Sequence, residues 1–148
     1  MVTFVGTQGN FAEALKELVE LEYAATDAYE AAVERLENPA YREKLTEFKE
    51  DHERHIQEIS ALLQKNEHEV PEKGMLGKQL LTTAKVVLAN MIGDNTILQA
   101  MKSNEIDTNT AYERMNDHNN KWSDAEEFIK KGLQDERRHK AWLENTLT

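Results

Sequence analysis

The chain carries one pattern twice, and that repetition limits what it can fold into. Glu22 is followed by Tyr29 and then by Asp51-His52-Glu53-Arg54-His55. Glu105 is followed by Tyr112 and then by Asp135-Glu136-Arg137-Arg138-His139. The Glu and the Tyr recur after 83 residues, and the Asp-x-x-Arg-His run after 84. A repeat of this kind asks for two equivalent pairs of elements that bring acidic and imidazole groups to one place.

Those elements read as helices. Gly (6) and Pro (2) are scarce in 148 residues, and the interior positions recur at steps of three and four. The first seam is Leu15, Leu18, Glu22, Ala25, Tyr29, Ala32 and Leu36. The second is Leu45, Phe48, His52, His55, Ile59 and Leu62. The third is Leu98, Met101, Glu105, Thr108, Tyr112 and Met115, and the fourth Ile129, Gly132, Glu136, His139 and Leu143. Each is the inward stripe of a helix in a bundle, interrupted at mid-length by ionisable groups.

Local signals set the expected boundaries. Asn10 caps a helix from Phe11 to about Glu37, which stops before Pro39. Asn38 caps a second helix, with Pro39 in its first turn, that runs to about Asn66. A loop over residues 67–74 leads to a linking helix from Met75 to Ile92. Asp94 is expected to cap a helix from Asn95 to about Asn116. Ser123-Asp-Ala-Glu126 reads as a capping box for a last helix to about Asn145. The expectation is one all-α domain over residues 1–148: an antiparallel four-helix bundle with an internal two-fold repeat. The long middle connection implies an up-down-down-up order with an extra short crossover helix.

Several function classes are disfavoured. Cys is absent, which excludes a disulfide framework, a thiolate nucleophile and Cys-ligated clusters. A net charge of −10 repels nucleic acid and anionic membranes. No leader and no membrane span is expected, since the most apolar window, near Val86 to Ile92, is broken by Asn90. A cytoplasmic location fits.

The interrupted seams point to metal. A carboxylate facing a bundle core is costly unless it is compensated. Six such groups at one level, Glu22, His52, His55, Glu105, Glu136 and His139, are the donors that divalent transition metals take. Glu136-x-x-His139 and His52-x-x-His55 each present two donors to one point. Asp51 and Asp135 are candidate acceptors for the ligand imidazoles, or partners of Arg54 and Arg138. Tyr29 and Tyr112 are expected near the site, as hydrogen-bonding core residues or in a redox role. His68 and His118 are expected to be solvated, and Trp122 and Trp142 to pack.

On these residues the chain resembles the ferritin-like di-iron carboxylate proteins, such as bacterioferritins and rubrerythrins. Those place one Glu on each of two helices and Glu-x-x-His on each of the other two. The resemblance runs from about Phe11 to Leu147. It implies Glu22 and Glu105 as terminal ligands, Glu136 as a bridging or chelating ligand, and His55 and His139 as imidazole ligands. One position departs: His52 stands where the family has a bridging Glu. The alternatives are an asymmetric pair of metals, a single metal, or Zn or Mn in place of iron. The resemblance implies two irons and ferroxidase- or peroxidase-type chemistry on ferrous iron, dioxygen or peroxide. Without Cys, an electron donor would be external. No fifth helix like that of the storage cages is expected after the fourth, and a monomer or homodimer is expected rather than a large shell. A bundle that sequesters metal without turnover, or a structural polar core, is the alternative.

Overall fold

The computed structural model describes residues 3–72 and 87–147, and among these every regular element is helical. Helix α1 is Phe11–Arg35, α2 is Pro39–Lys65, α3 is Asp94–Asn116 and α4 is Glu126–Leu147. A 3-10 turn, Ser123–Ala125, precedes α4. The all-α class expected from the periodicity holds. Of the expected linking helix, residues 75–86 lie outside the described residues. Val87, Leu88 and Ala89 are helical, and Leu88 is buried.

The first two caps are those the sequence implies. Asn10 accepts from the Glu13 amide at 3.0 Å. Asn38 accepts from Ala40 and Tyr41, with Pro39 in the first turn. The third differs. Asp94 does not cap α3; its carboxylate reaches across to the amides of Glu37 and Asn38, at 2.8 and 2.9 Å. These two consecutive N–H groups follow α1 and precede α2, and together they bind an anion better than one amide of its own helix. Arg35 donates to the Met91 carbonyl at the same junction, so the end of α1 is tied to the start of α3. The expected capping box before α4 is replaced by the 3-10 turn. There Asp124 turns to Asn66 at 3.1 Å and Lys65 at 3.4 Å, holding the end of α2.

Two apolar clusters set the helix directions. One joins Phe11, Leu15 and Leu18 to Ile59 and Leu63, Tyr112 and Met115, and Ile129. The other joins Tyr29 and Ala32 to Leu45 and Phe48, Leu98 and Met101, and Leu143. The start of α1 thus meets the ends of α2 and α3 and the start of α4. Helices α1 and α4 run one way, and α2 and α3 the other. Each fully buried large side chain in these clusters contributes on the order of 1.5–3 kcal/mol.

The expected seams are buried, with one exception. In α2 Leu62 is only half-buried, and Leu63 takes the interior place. The step from Ile59 is therefore four residues rather than three, as a 3.6-residue period requires after several turns. Trp122 and Trp142 pack against the two clusters as expected. Among the described residues no helix is long and apolar enough to cross a membrane.

Gly132 lies beneath the Tyr112 ring. A Cβ there would collide with Tyr112 Cε1. Its counterpart in the first half of the repeat is Phe48, edge-on to Tyr29 with ring centres 6.2 Å apart. Gly132→Ala would gain about 1 kcal/mol of helix propensity and lose about 1–3 kcal/mol to overpacking. Because Tyr112 is fully buried, the clash should dominate. We expect a net loss of up to about 2 kcal/mol, read as a lower urea midpoint; increased stability would contradict this packing.

Candidate metal centre

The six ionisable residues of the seams meet between the two apolar clusters. Glu22 comes from α1, His52 and His55 from α2, Glu105 from α3, and Glu136 and His139 from α4. All are buried, none more than 1 % exposed. They form two donor sets whose ligand atoms lie within 4.8 Å of one another, and either set could hold a metal ion. One is Glu22, His52, His55 and Glu136; the other is His52, Glu105, Glu136 and His139. His52 and Glu136 belong to both.

The contacts resolve this sharing atom by atom. His52 Nδ1 faces Glu22 Oε2 at 2.9 Å, and its Nε2 faces Glu105 Oε1 at 3.4 Å. Glu136 Oε1 lies 3.4 Å from His52 Nδ1 and 3.5 Å from His55 Nδ1, while Oε2 lies 3.6 Å from His139 Nδ1. The two shared residues thus each offer one atom to either side.

Outside this ring sits a crossed set of ion pairs. His55 Nε2 meets Asp135 Oδ2 at 2.9 Å, and His139 Nε2 meets Asp51 Oδ2 at 2.8 Å. Each aspartate therefore serves the imidazole of the opposite helix. Arg54 contacts Asp51 and Asp135, and Arg138 contacts Asp51 at 2.6 Å and Asp135 at 3.3 Å. An aspartate on Nε2–H directs Nδ1 of His55 and His139 inward, the atom a metal would take once its proton leaves. Sequence spacing suggested aspartate acceptors; the exchange between helices could not be read from it.

Glu105 is further held by the Tyr29 hydroxyl and by the Thr108 hydroxyl, which donates to Oε2 at 3.1 Å. Asn109 donates to the carbonyls of Glu105 and Glu136, at 2.8 and 3.0 Å, and so ties α3 to α4 at the site. Sequence reasoning assigned Thr108 only to the seam and missed Asn109. Their signal was a hydroxyl and an amide three and four residues after a buried Glu. Tyr112 lies beside His55, with ring centres 5.5 Å apart. His118, expected to be solvated, is half-buried and donates from Nε2 to the Gln8 carbonyl at 2.6 Å. His68 is exposed and stacks on Trp122.

Burial favours the neutral form of every one of these groups, and carboxylate–imidazole pairing opposes it at Glu22, His55 and His139. Burial would raise Glu22, but His52 and His55 bring it down to about 2. Burial would lower His55, but Glu22, Asp135 and Glu136 raise it to about 11. His139 is likewise lowered by burial and brought up to about 10 by Asp51, Glu105 and Glu136. Burial, together with Glu105, raises Glu136. Burial and the nearby carboxylates keep Tyr29 and Tyr112 protonated well above the ordinary range.

This charge pairing does not satisfy the site. Glu22 Oε1, both carboxylate oxygens of Glu136, His139 Nδ1 and the Tyr112 hydroxyl are buried without a hydrogen-bond partner among the described residues. A polar core built for its own hydrogen bonds would fill those positions, because each unsatisfied buried group costs about 1–3 kcal/mol. Carboxylate oxygens and an imidazole nitrogen left unsatisfied in one buried cluster fit a divalent transition metal.

The metal-free chain should be most stable in mildly acidic solution. Glu22, with its folded value near 2 against an ordinary 4.5, contributes stability that is complete above 4.5 and lost as pH falls toward 2. His55 and His139 contribute stability that is complete below 6.5 and lost as pH rises toward 10 and 11. Urea midpoints measured with chelator present should peak between about pH 4.5 and 6.5 and decline above it. A maximum above pH 8 would contradict these charge states.

A search of the curated proteins finds no match, and a search of the solved structures finds none. Residues 10–118 match a family model described as "Domain of unknown function (DUF2383)". The match contains α1, α2 and α3, and with them Glu22, His52, His55 and Glu105. Spanning well over half of the sequence, it shows that the chain belongs to the DUF2383 family.

Proposed function

We propose that this protein is a ferritin-like antiparallel four-helix bundle that holds two divalent transition-metal ions between pseudo-symmetric halves. Its proposed activity is ferroxidase- or peroxidase-type chemistry on ferrous iron with dioxygen or peroxide. The observation that carries the metal reading is the pair of buried donor sets sharing His52 and Glu136. The opposed helix directions and the 83- and 84-residue offsets support the architecture.

In this reading Glu22 and Glu105 close the two outer sides of the centre. His55 and His139 each supply Nδ1, held in place by Asp135 and Asp51. Glu136 and His52 lie between the two positions. Bound iron would supply the ferrous–ferric couple that reduces dioxygen or peroxide. Tyr29, hydrogen-bonded to Glu105, and Tyr112, beside His55, would hydrogen-bond at the site or take a redox role there. Zinc or manganese would suit the same donors.

A second reading has its own observation. The donors are completely buried beneath the Asp–Arg pairs, which favours a cation held without turnover.

Anaerobic loading with ferrous iron, followed by elemental analysis, should give two irons per chain. Admitting oxygen should then produce the ferric absorbance rise. Bound iron that does not oxidise would select sequestration. Failure of iron, zinc and manganese all to bind or to raise the melting temperature would end the metal reading. Asp51→Asn and Asp135→Asn should each weaken binding by about 10–100-fold, measured by competition with a chromogenic chelator.

A further inference from the structure

We propose that His52 is a bridging ligand, with Nδ1 bound to one cation and Nε2 to the other. The inference rests on the two-cation reading above and goes beyond it, because it assigns how the centre closes where a second carboxylate would stand.

Three imidazoles reach the site, and His52 differs from the other two. His55 and His139 each have one nitrogen engaged outward on an aspartate, so only Nδ1 remains for the interior. His52 has no such outward partner. Its Nδ1 faces Glu22 and Glu136, and its Nε2 faces Glu105. Glu22 and Glu105 are equivalent positions of the repeat, one on α1 and the other on α3. The ring therefore lies across the middle of the site, with one nitrogen for each donor set.

Neighbouring rings fix that orientation. Tyr29 lies 5.2 Å from His52 at an interplanar angle of 31°. His55 and His139 stand at steeper angles, 5.7 and 5.2 Å away. A half-turn of the buried ring would put Cδ2 and Cε1 where Nδ1 and Nε2 now stand, so the contacts to Glu22, Glu136 and Glu105 select the observed orientation. The partner across the site is Glu136, which occupies the matching position of the second half and offers Oε1 to one set and Oε2 to the other. The centre is thus spanned twice, once by a carboxylate and once by an imidazole.

The rival arrangement has His52 bind one cation and keep a proton on its other nitrogen, donated to a carboxylate. Bridging requires that no ring N–H remain. The ring protons pass to solvent as the cations bind, and no electrons move.

Crystals of the full chain grown with zinc(II), with zinc located by anomalous scattering at its absorption edge, test this directly. The expected result is two peaks, each about 2.0–2.1 Å from a different ring nitrogen of His52. Two peaks with the ring touching only one, or a single peak, would overturn the bridge and leave metal binding standing. Absence of zinc, both from the crystals and by elemental analysis in solution, would overturn both readings. Copper(II) titration followed by electron paramagnetic resonance gives an independent readout. The second equivalent should diminish the integrated signal through spin coupling. A signal that doubles in the native chain, or coupling of undiminished strength in His52→Gln, would show that His52 does not bridge.

Discussion

Three carboxylates and three imidazoles meeting in a dry interior are the constraint on which the rest of this structure depends. Neither set of groups is tolerable there alone, since an unpaired buried charge costs several kcal/mol even after relaxation. Together their charges offset one another, which is why Glu22 stays ionised and His55 and His139 stay protonated without an ion. The two apolar clusters flank this layer on either side along the helices. They supply the stability that the polar layer does not, and they hold four helices in the register that aligns its donors.

The crossed aspartates solve a separate problem. Helices α2 and α4 pack much less closely than α1 against α2 or α3 against α4. The space between them is spanned by long charged side chains beside the aromatic contacts of Tyr41 and Phe48 with Trp142. Asp51 and Asp135 each reach the histidine of the other helix, and Arg54 and Arg138 join the two aspartates. One network therefore joins the two halves of the sequence, neutralises the aspartates and sets which imidazole nitrogen faces inward. It is also where the site comes nearest to water, because the arginines are substantially exposed while the donors beneath are not.

Much of this was legible before any coordinates. The seams of α1, α3 and α4 are buried as the three-and-four spacing implies, since periodicity reports directly which face a helix hides. The Asn10 and Asn38 caps could be read because they act within their own helices. Asp94 could not: its partners lie at Glu37 and Asn38, and no local pattern specifies a contact over that distance. The same holds for the exchange of aspartates between α2 and α4 and for the tie from Asn109 to Glu136. His52 shows the limit from the other side. Its position in the seam was visible, but whether it faced one donor set or both depends on ring orientation, which the packing of Tyr29, His55 and His139 decides.

The repeat is most informative where it breaks. His52 answers to Glu136, and Phe48 to Gly132. Phe48 stacks on His139, with ring centres 4.2 Å apart, and packs edge-on to Tyr29; Gly132 leaves room for Tyr112 to lie over its backbone. The two tyrosines consequently end in different states. Tyr29 is hydrogen-bonded to Glu105, whereas the Tyr112 hydroxyl and Glu22 Oε1 have no hydrogen-bond partner among the described residues. Glu105 also accepts from Thr108, at the place where the first half of the repeat has Ala25. The carboxylate of one donor set is thus held by two hydroxyls, and its counterpart by two imidazoles on a single oxygen. A site made of two equal halves would bind two equal ions. These substitutions make its halves unequal in hydrogen bonding, which is the condition under which the two ions proposed above would take different roles.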